Sequence, residues 1–255
     1  MEFETLALLF VVAVAAGVVD AMAGGGGLIT LPALMLAGLP PVQALATNKI
    51  QALASVASSA HRFFRSGEID PQTIWPKIVS SLAGAALGAY AVQVIDTTIL
   101  ARVAPILLIC VALFFLLARN LIHGPRQRLI GDNAFALVAA FPIGFYDGFF
   151  GPGTGTIYAA AFVLLLGRDL RGATADTKVL NAMGSAVAAA IFLPGGMIAW
   201  PPALAMSAGG ILGGYLGAGF ALKWGAPLIR AVLVAISIAL AIRLLLQQYQ
   251  AAFGS

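Results

Sequence analysis

Charge is what this sequence has least of. Lysine, arginine, aspartate and glutamate together make up 9% of the 255 residues, against roughly 25% in soluble domains. A water-facing surface needs far more, so a soluble globular fold is excluded. Histidine is nearly absent: His61 and His123 are the two present, both in basic loop segments without metal-ligand spacing, so no metal or cofactor is expected. The one cysteine, Cys110, sits inside an apolar run. It cannot form an internal disulfide and reads as helix filler. The formal charge of +4 is scattered over short loops and makes no basic stripe, which argues against nucleic acid as a partner. No Gly-Lys-Ser/Thr follows a glycine run, so nothing resembles the phosphate loop of a nucleotide-driven pump.

Apolar residues fill the space that charge leaves. They make up 61% of the chain, and the mean hydropathy is +0.99. Apolar stretches run over 4–23, 27–38, 42–63, 74–95, 98–118, 132–150, 153–166, 173–193, 201–222 and 226–246. A helix needs about 20 residues to cross a bilayer. Most of these come near that length, while 27–38 and 153–166 are too short and each directly follows a glycine-rich break. The expectation is an all-α polytopic membrane protein in which these two form discontinuous or re-entrant helices. The first residues, Met1-Glu2-Phe3-Glu4, lack the positive start of a secretory signal, so the first stretch reads as an uncleaved helix. Trp75, Trp200, Trp224 and Tyr249 fall near segment ends, as in an interfacial belt.

Most of the 14 Lys and Arg residues cluster at 61–77, 119–128, 168–171 and at Lys223. The positive-inside rule puts these loops in the cytoplasm and both termini on the periplasmic side. Two lysines, Lys49 and Lys178, stay within membrane segments.

The chain also repeats itself. Gly17-Val-Val-Asp20-Ala-Met-Ala-Gly24-Gly25-Gly26 aligns with Gly144-Phe-Tyr-Asp147-Gly-Phe-Phe-Gly151-Pro152-Gly153, and Thr47-Asn48-Lys49-Ile50 with Asp176-Thr177-Lys178-Val179. The division is a first repeat at 1–122, a cytoplasmic linker at 123–130 and a second repeat at 131–255. Each half holds an odd number of segments, five, so the halves must be inverted relative to one another. Inverted repeats with broken helices are a transporter plan, with substrate held near the midplane where half-helix ends meet.

Several residues in these blocks are candidates for binding. Gly24, Gly25, Gly26 and Gly27, with Gly151, Gly153, Thr154 and Gly155, can present backbone N–H groups to an anion; packing between helices is the plainer role. Lys49 and Lys178 are charged groups at membrane depth, a functional signal by default, although long lysine stems can also snorkel. Asn48, Gln51, Thr177 and Asn181 flank them and can bond either substrate oxygens or neighbouring helices. Asp20 and Asp147 each precede a glycine break by four residues. They read as partners of the lysines, as proton-coupling carboxyls, or as pins for the loops.

At Gly17…Asp20…Gly24-Gly25-Gly26-Gly27-Leu28-Ile29-Thr30-Leu31-Pro32 and the Thr-Asn-Lys and Thr-Lys blocks, the sequence resembles the TauE/SafE family of sulfite exporters. The resemblance covers nearly the whole chain. It implies a secondary carrier of the bacterial inner membrane that exports a small sulfur-containing anion such as sulfite or an organosulfonate, with alternating access around a central site. Besides the anion, the expected partners are the lipid bilayer and, as an open question, a second copy in a homodimer. Two other classes stay open at this point. An intramembrane enzyme would have to build on a serine such as Ser55 or Ser185, and a membrane-complex assembly factor would leave two matched lysines unexplained.

Overall fold

The computed structural model describes residues 2–95, 110 and 127–253, and for 226–227, 229–230 and 232–253 the backbone course alone. The expected segment 98–118, apart from Cys110, lies outside the described residues. So does most of the central connection, with Arg102, His123 and Arg126. The side chains of Arg230 and Tyr249 lie outside them too. Cys110 is an exposed free thiol.

Every regular element among the described residues is helical. In chain order they are α1 (Phe3–Ala23), α2 (Gly27–Leu36), α3 (Pro41–Arg65), α4 (Pro71–Val94), α5 (Asp132–Phe135), a π-helical turn (Ala136–Ala140), α6 (Phe141–Phe149), α7 (Thr154–Leu166), α8 (Leu170–Phe192) and α9 (Trp200–Phe253). The local sequence sets these limits. Pro41 and Pro71 occupy first-turn positions, where the missing N–H costs nothing. Asp70 caps α4 by accepting from Gln72 N at 3.0 Å, and Asp169 caps α8 by accepting from Gly172 N at 3.3 Å. Pro142 cannot donate to the preceding turn, and the helix widens into the π turn immediately before it.

Among the described residues, three helices are long and apolar enough to cross a membrane: Phe3–Ala23, Pro71–Val94 and Trp200–Gly225. Helices α3 and α8 match them in length, at 25 and 23 residues, but carry buried polar side chains facing inward. The outward faces are the greasy ones. Leu8, Val11, Leu87, Tyr90, Val138 and Leu204 are all more than half exposed, an arrangement that lipid tolerates and water does not. Trp75, Trp200 and Trp224 are exposed near helix ends or breaks, where indole rings meet headgroups.

The packing is reciprocal. Helices α1 and α3, from the N-terminal part, pack on α9; helices α6 and α8, from the C-terminal part, pack on α4. Helices α3 and α8 meet each other at the centre. Small residues permit the close approaches: Gly17 lies against the backbone of Gly210 and Gly214, and Gly148 against that of Ala85. One apolar cluster gathers Phe63, Phe135, Tyr158 and Phe162, and a second gathers Leu31, Leu34, Phe150 and Phe192.

The last two stretches part where expected: α9 breaks at Gly225, whose φ of 60° and ψ of −148° suit glycine alone. Two local expectations change. His61 lies in the last turns of α3 and is exposed, because that helix continues to Arg65. Lys77 is no loop residue. Capping at Asp70 starts α4 early enough to bury Lys77, whose ammonium is 2.6 Å from Asp132 Oδ1 and also donates to Thr73 O.

Candidate substrate-binding site

Both short helices follow broken backbone, and the two breaks touch. Helix α1 ends at Gly24, whose φ is +78°, with its N–H bonded to Asp20 O at 2.8 Å. The second break turns at Gly151 and Gly153, with φ of +95° and +83°. A Cβ placed on Gly24 would lie 2.5 Å from Gly155 Cα, so the backbones meet where no side chain fits. Thr156 Oγ1 ties the contact by donating to Ala23 O.

Two ion pairs cross between the N-terminal and C-terminal parts at this junction. Lys49 Nζ on α3 is 3.0 Å from Asp147 Oδ1 on α6 and also donates to Asp147 O. Lys178 Nζ on α8 is 3.2 Å from Asp20 Oδ2 on α1 and donates to Asp20 O. Both lysines are buried, at 2% and 0% exposure. Neither ammonium snorkels, and each charge is neutralised where it lies. Burying an unpaired charge costs several kcal/mol, so the pairs are what allow lysine here. Asp20 also pins the first break, because its Oδ1 accepts from Gly26 N at 3.1 Å.

Between the breaks is a cavity with about 470 Å³ of atom-free space, counting its open mouth. Lys49, Asp20, Asp147, Asn48, Gln51 and Asn181 line it, with Gly24, Gly26, Gly27, Gly151, Gly153 and Gly155. Asn48 is positioned by Thr30 Oγ1, 2.6 Å from its Oδ1. Lys178 and Thr177 instead line a smaller recess on the other side of the Gly24–Gly155 contact, where Thr177 Oγ1 donates to Ala173 O at 2.7 Å. Thr154 donates to Gly151 O and stiffens the second break. Gly25 is buried and, like Thr154, is not among the lining residues. The two lysines thus line different spaces that share Gly24 and Gly155, and Lys178 reaches the central cavity's wall only through Asp20.

Ser55 and Ser185 also line the cavity. Each lies four residues after a lining amide, Gln51 or Asn181, and that helical spacing is the signal that would have found them.

A further set of pairs lies at the basic ends of the helices. Arg168 Nε donates to Asp176 Oδ2 at 2.8 Å, and Arg171 Nη2 is 2.7 Å from Glu68 Oε1. The bond to Asp176 raises the Arg168 guanidinium above its ordinary range, against the opposing effect of partial burial. The first ties the loop before α8 to α8 itself, and the second ties the first turn of α8 to the loop before α4.

No solved structure matches the chain. It is 42% identical over 245 residues to a probable membrane transporter protein, ORF9, of Sinorhizobium sp, covering 96% of this chain and 94% of that one. It is 40% identical to a probable membrane transporter protein of Haemophilus influenzae, covering 96% of both chains. The probable membrane transporter protein YfcA of Escherichia coli strain K12 is 42% identical over 240 residues, covering 94% of this chain and 89% of that one. Residues 9–244 match the family model described as sulfite exporter TauE/SafE, and the chain belongs to that family.

Proposed function

We propose that this protein is a secondary transporter of the bacterial inner membrane for a small sulfur-containing anion, sulfite or an organosulfonate, and that it works as an exporter. The family's description and the relatives' names support the class. The observation that carries the reading is the pair of crossed Lys–Asp bridges beside touching helix breaks. A buried ammonium with a donor to spare, glycine N–H groups and neutral amides is a recognition set for a small oxyanion. The reciprocal packing of α1 and α3 on α9, and of α6 and α8 on α4, supports two inverted five-segment halves, 1–122 and 131–255 joined by 123–130. Rocking of one against the other would open the site to each side in turn.

Flux tests the function. Purified protein in liposomes should release sulfite or an organosulfonate such as sulfoacetate down its gradient, and Lys49→Ala should slow that release by about an order of magnitude or more at subsaturating anion. Equal leakage from protein-free liposomes would end the proposal. Orientation is tested separately. Reporter fusions at Ser255 should read periplasmic, and fusions near Arg126 cytoplasmic. A cytoplasmic carboxyl terminus would remove the inverted arrangement.

A further inference from the structure

The two crossed pairs match in sequence and differ in one atom. Asp20 uses both carboxylate oxygens, one accepting from Gly26 N–H and one facing Lys178. Asp147 uses one. Its Oδ1 meets Lys49, while its Oδ2 is buried without a hydrogen-bond partner. Asp147 lines the central cavity. Its Oδ2 lodges against Gly184 of α8, where any Cβ would collide with it. One turn back on α8, Asn181 Oδ1 is a second buried acceptor without a donor, on the same cavity. Buried acceptors without partners are rare in folded proteins, and these two line one cavity, where a proton or a donor arriving with the substrate would satisfy them.

We propose that the anion and one proton bind together, the anion at Lys49 and the proton on Asp147 Oδ2. The inference rests on the anion reading given above. An ammonium has three donors. Two of those on Lys49 go to Asp147 O and Oδ1, and the third is available to an anion. The charge balance supplies the rest. Lys49 and Lys178 offset Asp20 and Asp147, so the site is formally neutral before substrate arrives. A monoanion would leave one uncompensated negative charge away from water, which is unfavourable. A proton on Oδ2 cancels it. One O–H bond forms, the proton coming from water on the side from which the anion enters, and no bond within the anion breaks. On release both leave, so a monoanion moves no net charge.

The groups facing Asp147 fit this assignment. Helix α3 brings Lys49, α1 brings Asp20, α7 brings Tyr158, and its own helix brings Tyr146. The other charged groups on the helices packed against α6 each have a partner elsewhere: Lys178 on α8 is held by Asp20, Asp176 on α8 by Arg168, and Lys77 on α4 by Asp132. Thr154 on α7 also lies beside the carboxyl, but its hydroxyl donates to Gly151 O, and none of these groups donates to Oδ2.

The probe is methanesulfonate, a strong-acid anion that stays ionised throughout, titrated into the purified full chain. Calorimetry in two buffers of different ionisation heat counts protons. The wild type should take up about one proton per anion, so its affinity should fall as pH rises, approaching tenfold per unit. Asp147→Asn, which supplies an N–H donor without charge, should bind with no proton uptake and no pH dependence. Binding by the wild type without proton uptake would overturn the inference and leave the anion reading standing. Uptake unchanged in Asp147→Asn would overturn the assignment to this carboxyl. If that variant does not fold, the wild-type proton count decides alone. No binding of methanesulfonate or sulfite by the wild type would overturn both the anion reading and this inference.

Discussion

Lys49→Ala should damage binding and stability together, and the two losses should separate in a double variant. The ammonium is 2% exposed and bonded twice to Asp147. Removing one partner of a buried ion pair costs roughly 3–5 kcal/mol, because the other charge is left uncompensated. Losing a charge-assisted bond to the anion costs a further 1.5–3 kcal/mol of affinity, about 10- to 150-fold. Asp147→Ala added to Lys49→Ala removes the stranded carboxylate, so thermal stability should largely return while anion affinity does not. Lys178→Ala should lower stability comparably but affinity much less, since that lysine faces the smaller recess beyond Gly24 and Gly155. Lys49→Arg should not rescue. A Cβ on Gly151 would already stand 2.6 Å from the ammonium nitrogen, and the larger planar fork has no room there. Thermal midpoints and equilibrium binding at fixed ionic strength measure both quantities. Wild-type behaviour of Lys49→Ala in both would show that the pair does neither job.

Gly155→Val should prevent the protein from assembling at all. A Cβ at this position would meet Gly24 O at 3.0 Å and Asn181 Nδ2 at 3.1 Å, and would press closer still on Gly24 Cα. Overpacking against side chains costs about 1–3 kcal/mol, because side chains can shift. Here the obstacle is mostly backbone, held on both sides by helices. The cost should exceed about 3 kcal/mol, a large share of the 5–15 kcal/mol typical of folded domains. Gly24→Val adds left-handed strain at φ +78°. Gly38→Ala is the informative contrast. Its φ is +93°, but nothing lies within 4 Å of an added Cβ, so it should cost only about 1–2 kcal/mol of backbone strain. Yield of monodisperse protein after detergent extraction distinguishes them. Normal yield from Gly155→Val would mean the two breaks do not touch.

Much of this arrangement can be read from the residues, and the unreadable part has a physical cause. Segment limits followed from hydropathy, so α1, α2, α3, α4, α7 and α8 lie within a few residues of expectation, and α5, the π turn and α6 together fill the expected 132–150. The matched Asp and Lys positions identified which residues would be special. They could not give the partner, because spacing within one half says nothing about which aspartate a lysine meets; that depends on how α3 and α8 cross. The same gap hid the partition by Gly24 and Gly155 that puts Lys49 and Lys178 in separate spaces. Lys77 was misplaced for a different reason. Its burial needs Asp132 from a helix 55 residues away, and a basic residue near a loop looks the same whether or not such a partner exists. The break at Gly225 was legible, because Lys223 and Gly225 interrupt the apolar run between 222 and 226.

The crossed bridges also set a timetable. Asp20 and Lys178 are 158 residues apart, and ribosomes add roughly 5–20 residues per second. Asp20 therefore spends about 10–30 s in the insertion machinery or the bilayer before its lysine exists. During that interval α1 also lacks the small-residue face of α9 on which it finally packs. The N-terminal part cannot reach its final state as it emerges. Its first helix must be kept waiting, with a carboxylate hydrated or sheltered, until nearly the whole chain has been made.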